Sequence, residues 1–140
     1  MYKEVLIFGS GSIGNHFANA LTKIGRYNIL ITDISDASLI RMKNIVYPKR
    51  YGKWNKKIKQ ISYQKVFNLN QNFDLVIVGT PPDTHLDLFK KIDKKITFKK
   101  ILIEKPLVPF NDSFMSIYKR NKNSIFCGYN HSVSESFQYL

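Results

Sequence analysis

Acidic residues are scarce in this chain of 140 residues: 10 aspartates and glutamates face 22 lysines and arginines, giving a formal net charge of +12. Such a balance admits a nucleic-acid partner. Half of the stretch from Pro48 to Lys59 is basic (Lys49, Arg50, Lys53, Lys56, Lys57, Lys59), with Tyr51 and Trp54 among the cations. Yet lysine far outnumbers arginine, and asparagine, isoleucine and tyrosine are abundant too, as in a general compositional bias. The run from Lys90 to Lys100 fits the solvated end of a helix and the loop after it. The charge therefore reads as a basic surface that favours anionic ligands rather than as a nucleic-acid interface. The single cysteine, Cys127, excludes an internal disulfide, and its place in Ile125-Phe126-Cys127 reads as a small buried core residue. The three histidines, His16, His85 and His131, stand far apart with no cysteine near them, so no metal site is expected. No apolar run approaches the roughly 20 residues of a membrane helix. Met1-Tyr2-Lys3-Glu4 leads straight into an apolar strand without a secretory layout, so the expected location is the cytoplasm. Repeats, low-complexity tracts and Gly/Ser linkers are missing, and the length suits one domain.

What is present is enough apolar material for a core, 44% of residues, arranged in alternation. Short continuous apolar runs occur at Val5–Phe8, Ile29–Ile31, Leu75–Val78, Ile101–Ile103 and Ser124–Cys127. They have the character of parallel strands covered on both faces. A further strand is expected within Ile58–Val66. Helical patterns fall between: Ile13, Phe17, Leu21 and Ile24 on one face with Gly25 as a stop; Leu39, Ile40 and Met42 behind an Asp36 cap; Leu88, Phe89 and Ile92 behind Asp83 or Thr84; Phe114, Met115, Ile117 and Tyr118 behind Asn111 or Asp112. Strand–helix alternation implies an α/β fold with a doubly wound, mostly parallel sheet (a Rossmann fold), strand order 3-2-1-4-5-6. Tyr47–Asn72 is the least readable segment.

Gly9-Ser10-Gly11-Ser12-Ile13-Gly14 matches G-x-G-x-x-G, follows a buried-type strand and opens an amphipathic helix. Gly9 would allow the tight turn, Gly11 the approach of a pyrophosphate, and Gly14 the packing of helix on sheet. The helix N-terminus offers free N–H groups and a positive dipole end; a plain turn with incidental glycines is the alternative. Asp33 stands 19 residues after Gly14, past the second strand. A carboxylate there can accept hydrogen bonds from an adenosine ribose and would repel a 2′-phosphate, which favours NAD over NADP. Nearby bases such as Lys43, Lys49 or Arg50 would offset that repulsion, and Asp33 equally suits a turn or cap.

Val78-Gly79-Thr80-Pro81-Pro82-Asp83-Thr84-His85 follows the fourth strand, and Ile103-Glu104-Lys105-Pro106-Leu107 follows the fifth. With the glycine motif and the terminal Gly128-Tyr129-Asn130-His131, this set resembles the N-terminal domain of the glucose–fructose oxidoreductase, inositol dehydrogenase and rhizopine-catabolism (Gfo/Idh/MocA) family. The resemblance covers essentially the whole chain. It implies that Thr80, Pro81 and Pro82 line the cofactor near its ribose and nicotinamide, with His85 starting the next helix beside them. It implies that Glu104 and Lys105 sit by the nicotinamide ribose, that Pro106 shapes their loop, and that Asn130 approaches the nicotinamide end. Lys105 would be catalytic, facing a substrate hydroxyl and assisting proton transfer. The residues themselves leave other readings open: a surface lysine paired with Glu104, a His85 or His131 without a ligand, and prolines that only stiffen the backbone.

In that family a second α/β domain supplies the substrate pocket. The expected division is a dinucleotide-binding domain over 1–131, with 132–140 starting a crossover to an absent substrate domain. The chain then reads as the NAD-binding part of an oxidoreductase acting on a sugar, cyclitol or nucleotide-sugar alcohol, without turnover by itself. The alternatives are a stand-alone dinucleotide-sensing module and a basic, nucleic-acid-associated protein on the same scaffold. Oligomerisation is open to any of these.

Overall fold

The structure, a computed structural model, describes residues 1–107, 112–121 and 124–128. Six strands form one parallel sheet: β1 (Lys3–Phe8), β2 (Tyr27–Asp33), β3 (Ile58–Ser62), β4 (Asn72–Val78), β5 (Thr97–Ile103) and β6 (Ile125–Cys127), in the order β3-β2-β1-β4-β5-β6. The order reverses beside β1, which pairs with β2 on one side and β4 on the other. Side chains alternate along each strand, so the sheet feeds two cores. Leu6 and Phe8 of β1 join Val76, Val78, Ile101 and Ile103 on one face. Val5 and Ile7 join Ile29, Ile31 and Ile77 on the other. Each fully buried aliphatic side chain contributes roughly 1.5–3 kcal/mol.

The helices cover those faces. Helices α1 (Ser12–Ile24), α2 (Asp36–Arg41) and α3 (Tyr47–Tyr51) follow the first two strands, and Ala18, Leu21, Leu39 and Tyr47 enter the second core. Helices α4 (Tyr63–Val66), α5 (His85–Lys95) and α6 (Asp112–Asn121) cover the first, through Val66, Leu88, Phe89, Ile92 and Ile117. Gly25 ends α1 in the left-handed region (φ 80°), its N–H donating to the Leu21 carbonyl.

Several expected details are corrected. The buried face of α1 runs through Gly14, Asn15, Ala18 and Leu21, whereas Ile13 and Ile24 are 41% and 59% exposed. Gly14 opens that face because a Cβ there would collide with the Gly9 carbonyl oxygen. Ser35, not Asp36, caps α2, its Oγ accepting from the Ser38 N–H at 3.2 Å. Ile40 is exposed on that helix, while Leu39 and Met42 are buried. The third strand falls within Ile58–Val66 as expected, over Ile58–Ser62, and then turns into α4. Cys127 is half-buried on β6 rather than a core residue. Burial pushes its thiol up, the Glu104 carboxylate adds to the rise, and a Gly128 backbone hydrogen bond opposes it. Asn111, Asn130 and His131 lie outside the described residues, as does the whole of 132–140.

The segment from Asp36 to Tyr51 is one continuous helical path with a widened, π-type turn over Met42–Val46 between α2 and α3. Pro48 has no N–H to give a preceding carbonyl, and the widened turn just before it accommodates that loss. In this turn the Tyr47 N–H reaches back to Met42 O.

Candidate functional site

The C-terminal ends of the strands are stitched together by backbone hydrogen bonds. Gly9 N–H donates to Thr32 O, Gly79 N–H to Phe8 O, Glu104 N–H to Val78 O and Gly128 N–H to Ile103 O, at 2.8–2.9 Å. The loops after β1, β4 and β5 therefore leave the sheet side by side. The strand order reverses at β1, and there a cleft of about 1030 Å³ opens above the sheet. Its walls include Gly9, Ser10, Gly11, Ser12, Asn15, Thr32, Asp33, Arg41, Arg50, Tyr63, Thr80, Pro81 and Lys91.

The glycine loop is shaped by close approach. Gly9 has φ 101°, a region that disfavours side chains, and a Cβ there would lie 2.8 Å from the Gly79 carbonyl oxygen. A Cβ on Gly14 would collide with the Gly9 carbonyl oxygen, and one on Gly79 would meet Ile13 Cγ2 at 3.0 Å. The three glycines thus form one contact between the first turn, α1 and the β4 loop. Gly79 was visible inside its motif, but its part in this contact depends on β1 pairing with β4 and has no local signal. Gly11 differs, because a Cβ there would meet nothing within 4 Å. No side chain caps α1 at Gly11, no acidic residue lies in its first turn, and Asn15 N–H makes the first return bond, to Gly11 O. The amides ahead of it can receive an anion.

Asp33 holds this loop in place. Its Oδ2 accepts from the Ser10 N–H at 2.8 Å and from Ser10 Oγ at 2.7 Å, and its Oδ1 accepts from the Ser35 N–H at 2.9 Å. The turn-forming role open in the sequence is therefore real, and the residue still lines the cleft. A carboxylate has about four acceptor sites, so three bonds leave one for a ligand. Asn15, which sequence reasoning missed, donates from Nδ2 to Ser10 O and Gly11 O, both at 2.8 Å. Asn15 Oδ1 and Thr32 Oγ1 are buried at this wall without a hydrogen-bond partner. An open Cβ direction at Gly11 and an uncapped helix start fit a phosphate-bearing ligand.

Phe8, Tyr63 and Lys91 also line the cleft, with Phe67 packed against them. Phe8, Tyr63 and Phe67 have ring centroids 5.1–6.4 Å apart, and Lys91 Nζ stands 4.6 Å from the Tyr63 centroid and 4.1 Å from that of Phe67. Burial pushes the Tyr63 hydroxyl up, keeping it protonated and a donor.

The remaining expected residues do not all reach the cleft. Thr80 and Pro81 line it, while Pro82 is exposed and opens the 3₁₀ turn Pro82–Thr84 that leads into α5. The Thr84 side chain makes no cap to α5; its Oγ1 donates to Pro81 O at 2.7 Å and lies 2.8 Å from Thr80 Oγ1. His85 is fully buried behind the wall. Its Nε2 lies 2.8 Å from Thr80 O, and its Nδ1 lies 3.0 Å from both Pro106 O and Leu107 O. His85 thus bridges the β4 and β5 loops rather than facing a ligand. Glu104 and Lys105 follow β5 outside the cleft wall, joined to it through the Glu104 N–H bond to Val78 O. Lys105 is exposed, the Lys105–Pro106 bond is cis, and among the described residues no ion pair joins Lys105 to Glu104. Tyr51 and Trp54, expected among displayed bases, instead pack on the buried Tyr47 ring at centroid distances of 5.3 and 5.0 Å. Among the described residues no cluster of metal-binding side chains occurs, and no helix is long and apolar enough to cross a membrane.

The profile of the Gfo/Idh/MocA oxidoreductase family, NAD-binding Rossmann fold, matches residues 3–125. Solved structures share the fold at low identity. Myo-inositol 2-dehydrogenase from Lactobacillus plantarum is 17% identical with a TM-score of 0.68, over 99% of this chain and 40% of that one. The WlbA dehydrogenase from Bordetella pertussis, in complex with NADH and UDP-GlcNAcA, is 15% identical with a TM-score of 0.69, over 99% and 40%. Biliverdin reductase from Synechocystis, in complex with biliverdin and NADP+, is 16% identical with a TM-score of 0.65, over 93% and 38%. The chain thus spans about 40% of the length of these proteins. No curated protein matches it. The chain belongs to the Gfo/Idh/MocA oxidoreductase family and carries its NAD(P)-binding Rossmann domain.

Proposed function

We propose that this member of the family is the NAD(H)-binding part of an oxidoreductase that moves a hydride between nicotinamide and a hydroxyl or ketone of a sugar, cyclitol or nucleotide sugar. The observation that carries the reading is the uncapped start of α1, open at Gly11, at the point where the sheet order reverses. Ligands of open α/β sheets bind at such a point.

In this reading the Ser12, Ile13 and Gly14 amides hold the pyrophosphate, with Gly9, Ser10 and Gly11 giving it room. Asp33 offers its remaining acceptor site to the adenosine ribose, and its charge opposes a 2′-phosphate. Thr80, Pro81 and Pro82 flank the ribose and nicotinamide end, and Asn130 approaches from the segment after β6. The bound nicotinamide supplies the hydride acceptor or donor. Lys105 Nζ holds the substrate hydroxyl and exchanges its proton, while Glu104 stands beside the nicotinamide ribose. His85 acts at one remove, holding the Thr80 and Lys105 loops in register. Residues 1–131 form the dinucleotide domain, 132–140 begin a crossover, and a second domain completes the substrate pocket. The 40% coverage of the related chains supports that division.

Calorimetric titration of the chain with NADH and NADPH tests the reading. NADH is expected to bind at least about tenfold more tightly, and Asp33→Ala should narrow the gap. Binding without turnover of sugar alcohols fits the division proposed; saturation by neither nucleotide contradicts the reading.

A further inference from the structure

We propose that Arg50 is a side-chain clamp on the dinucleotide pyrophosphate, delivered to the phosphate loop by the helical path between β2 and β3. This rests on the dinucleotide reading of the cleft and adds to it a residue outside the glycine motif.

Three observations carry it. Arg50 Nη1 donates to Ser12 Oγ at 2.8 Å, which fixes the guanidinium at the first turn of α1, and both residues line the cleft. That end of a helix is the positive end of its dipole, an unfavourable place for a cation unless an anion lies between them. Among the described residues no carboxylate pairs with Arg50, and no acidic residue stands in the first turn of α1. The exposed cation is thus held beside the positive end of a helix, a place that favours a bound anion between them. Thr32, wholly buried in the same cleft wall, carries a hydroxyl without a partner, a second sign that the cleft is built for a polar ligand.

The support beneath Arg50 is firm. Tyr47 is 2% exposed in the second core, the Tyr51 and Trp54 rings pack on it, and Tyr51 Oη reaches within 3.5 Å of His16 Nδ1 on α1. Gly52, at φ 84°, ends α3 directly afterwards. A guanidinium on a fixed base loses little freedom when it binds, and its planar fork suits two phosphate oxygens at once. Arg50 then exchanges its bond to Ser12 for bonds to the pyrophosphate, which releases Ser12 Oγ to the same anion.

The test is fluorescence titration with NADH of the wild-type chain and of Arg50→Ala, Arg50→Lys and Lys49→Ala, at several salt concentrations. Lys49 lies on the same helix, exposed and outside the cleft wall, so its removal costs the same net charge without touching the site. Arg50→Ala is expected to weaken NADH binding about ten- to hundredfold and to flatten the dependence of affinity on salt. Arg50→Lys should fall between, and Lys49→Ala should match wild type. If Arg50→Ala and Lys49→Ala behave alike while wild type binds NADH, the clamp is wrong and the dinucleotide reading stands. If wild type itself fails to bind NADH, both are overturned.

Discussion

A methyl group at Gly14 would run into the Gly9 carbonyl oxygen, a backbone atom with nowhere to go, whereas one at Gly11 would point into open space. The two substitutions should therefore separate stability from binding. Gly14→Ala is expected to cost about 3 kcal/mol or more in urea unfolding. Gly11→Ala should stay within about 1 kcal/mol of wild type while losing NADH affinity in titration. His85 makes a second separable case. Replacing it with leucine leaves the Thr80, Pro106 and Leu107 carbonyls without their bridge. The expected loss is about 2–4 kcal/mol, read by thermal or urea unfolding. The glycine spacing was legible because three positions of one residue type encode one turn. The bonds from Ser10 to Asp33 were not, because they join residues 23 apart whose meeting depends on β1 pairing with β2. Asn15 stayed hidden for a similar reason: a polar residue in a helix start shows in sequence as surface, not as a brace for the loop before it.

The apolar runs of β1, β2, β4 and β5 could be read directly, since burial on both faces leaves few polar residues in them, and β6, an edge strand that is only half-buried, showed itself by its short run Ile125-Phe126-Cys127. β3 is an edge strand whose residues after Ile58 are exposed or half-buried, so Ile58-Lys59-Gln60-Ile61-Ser62 lacks that signal. The path through α2 and α3 was obscured by Pro48, which reads as a stop but is accommodated by the π-type turn. Tyr47 anchors this path, so Tyr47→Ala should destabilise the fold by about 3–5 kcal/mol and shift the fluorescence of Trp54, which packs on it. At the opposite end of the sheet, Lys99 donates to Asp74 at 2.6 Å and the Glu4 N–H donates at 2.9 Å. The Lys99 hydrogen bond first, then that of Glu4, hold the Asp74 carboxyl below its usual range. A lowered folded-state value means stability that is present above the unfolded-state value and lost as pH falls through the folded one. Thermal melts of wild type and Asp74→Asn should therefore differ at neutral pH and converge as pH drops below about 4.

The chain as a unit is a parallel sheet with a core on each face and its cleft where the order of strands turns back. The net charge of +12, ambiguous in the sequence, acquires a local meaning in Arg41, Arg50 and Lys91, which all border the cleft. The neighbouring aromatic residues Tyr51 and Trp54 are packed against Tyr47 instead of standing free. The family and the strand order followed from motifs in context. Which loops are tied to which did not, because the His85 bridge and the Gly9–Gly14–Gly79 contact exist only in the folded chain. Amide chemical shifts of the labelled chain during NADH addition test most directly whether the start of α1 is the phosphate site. The amides of Gly11, Ser12, Ile13 and Gly14 should move most and saturate together, with those of Asp33 and Thr80 following. Saturable shifts confined to another face, or none at all, would contradict the account.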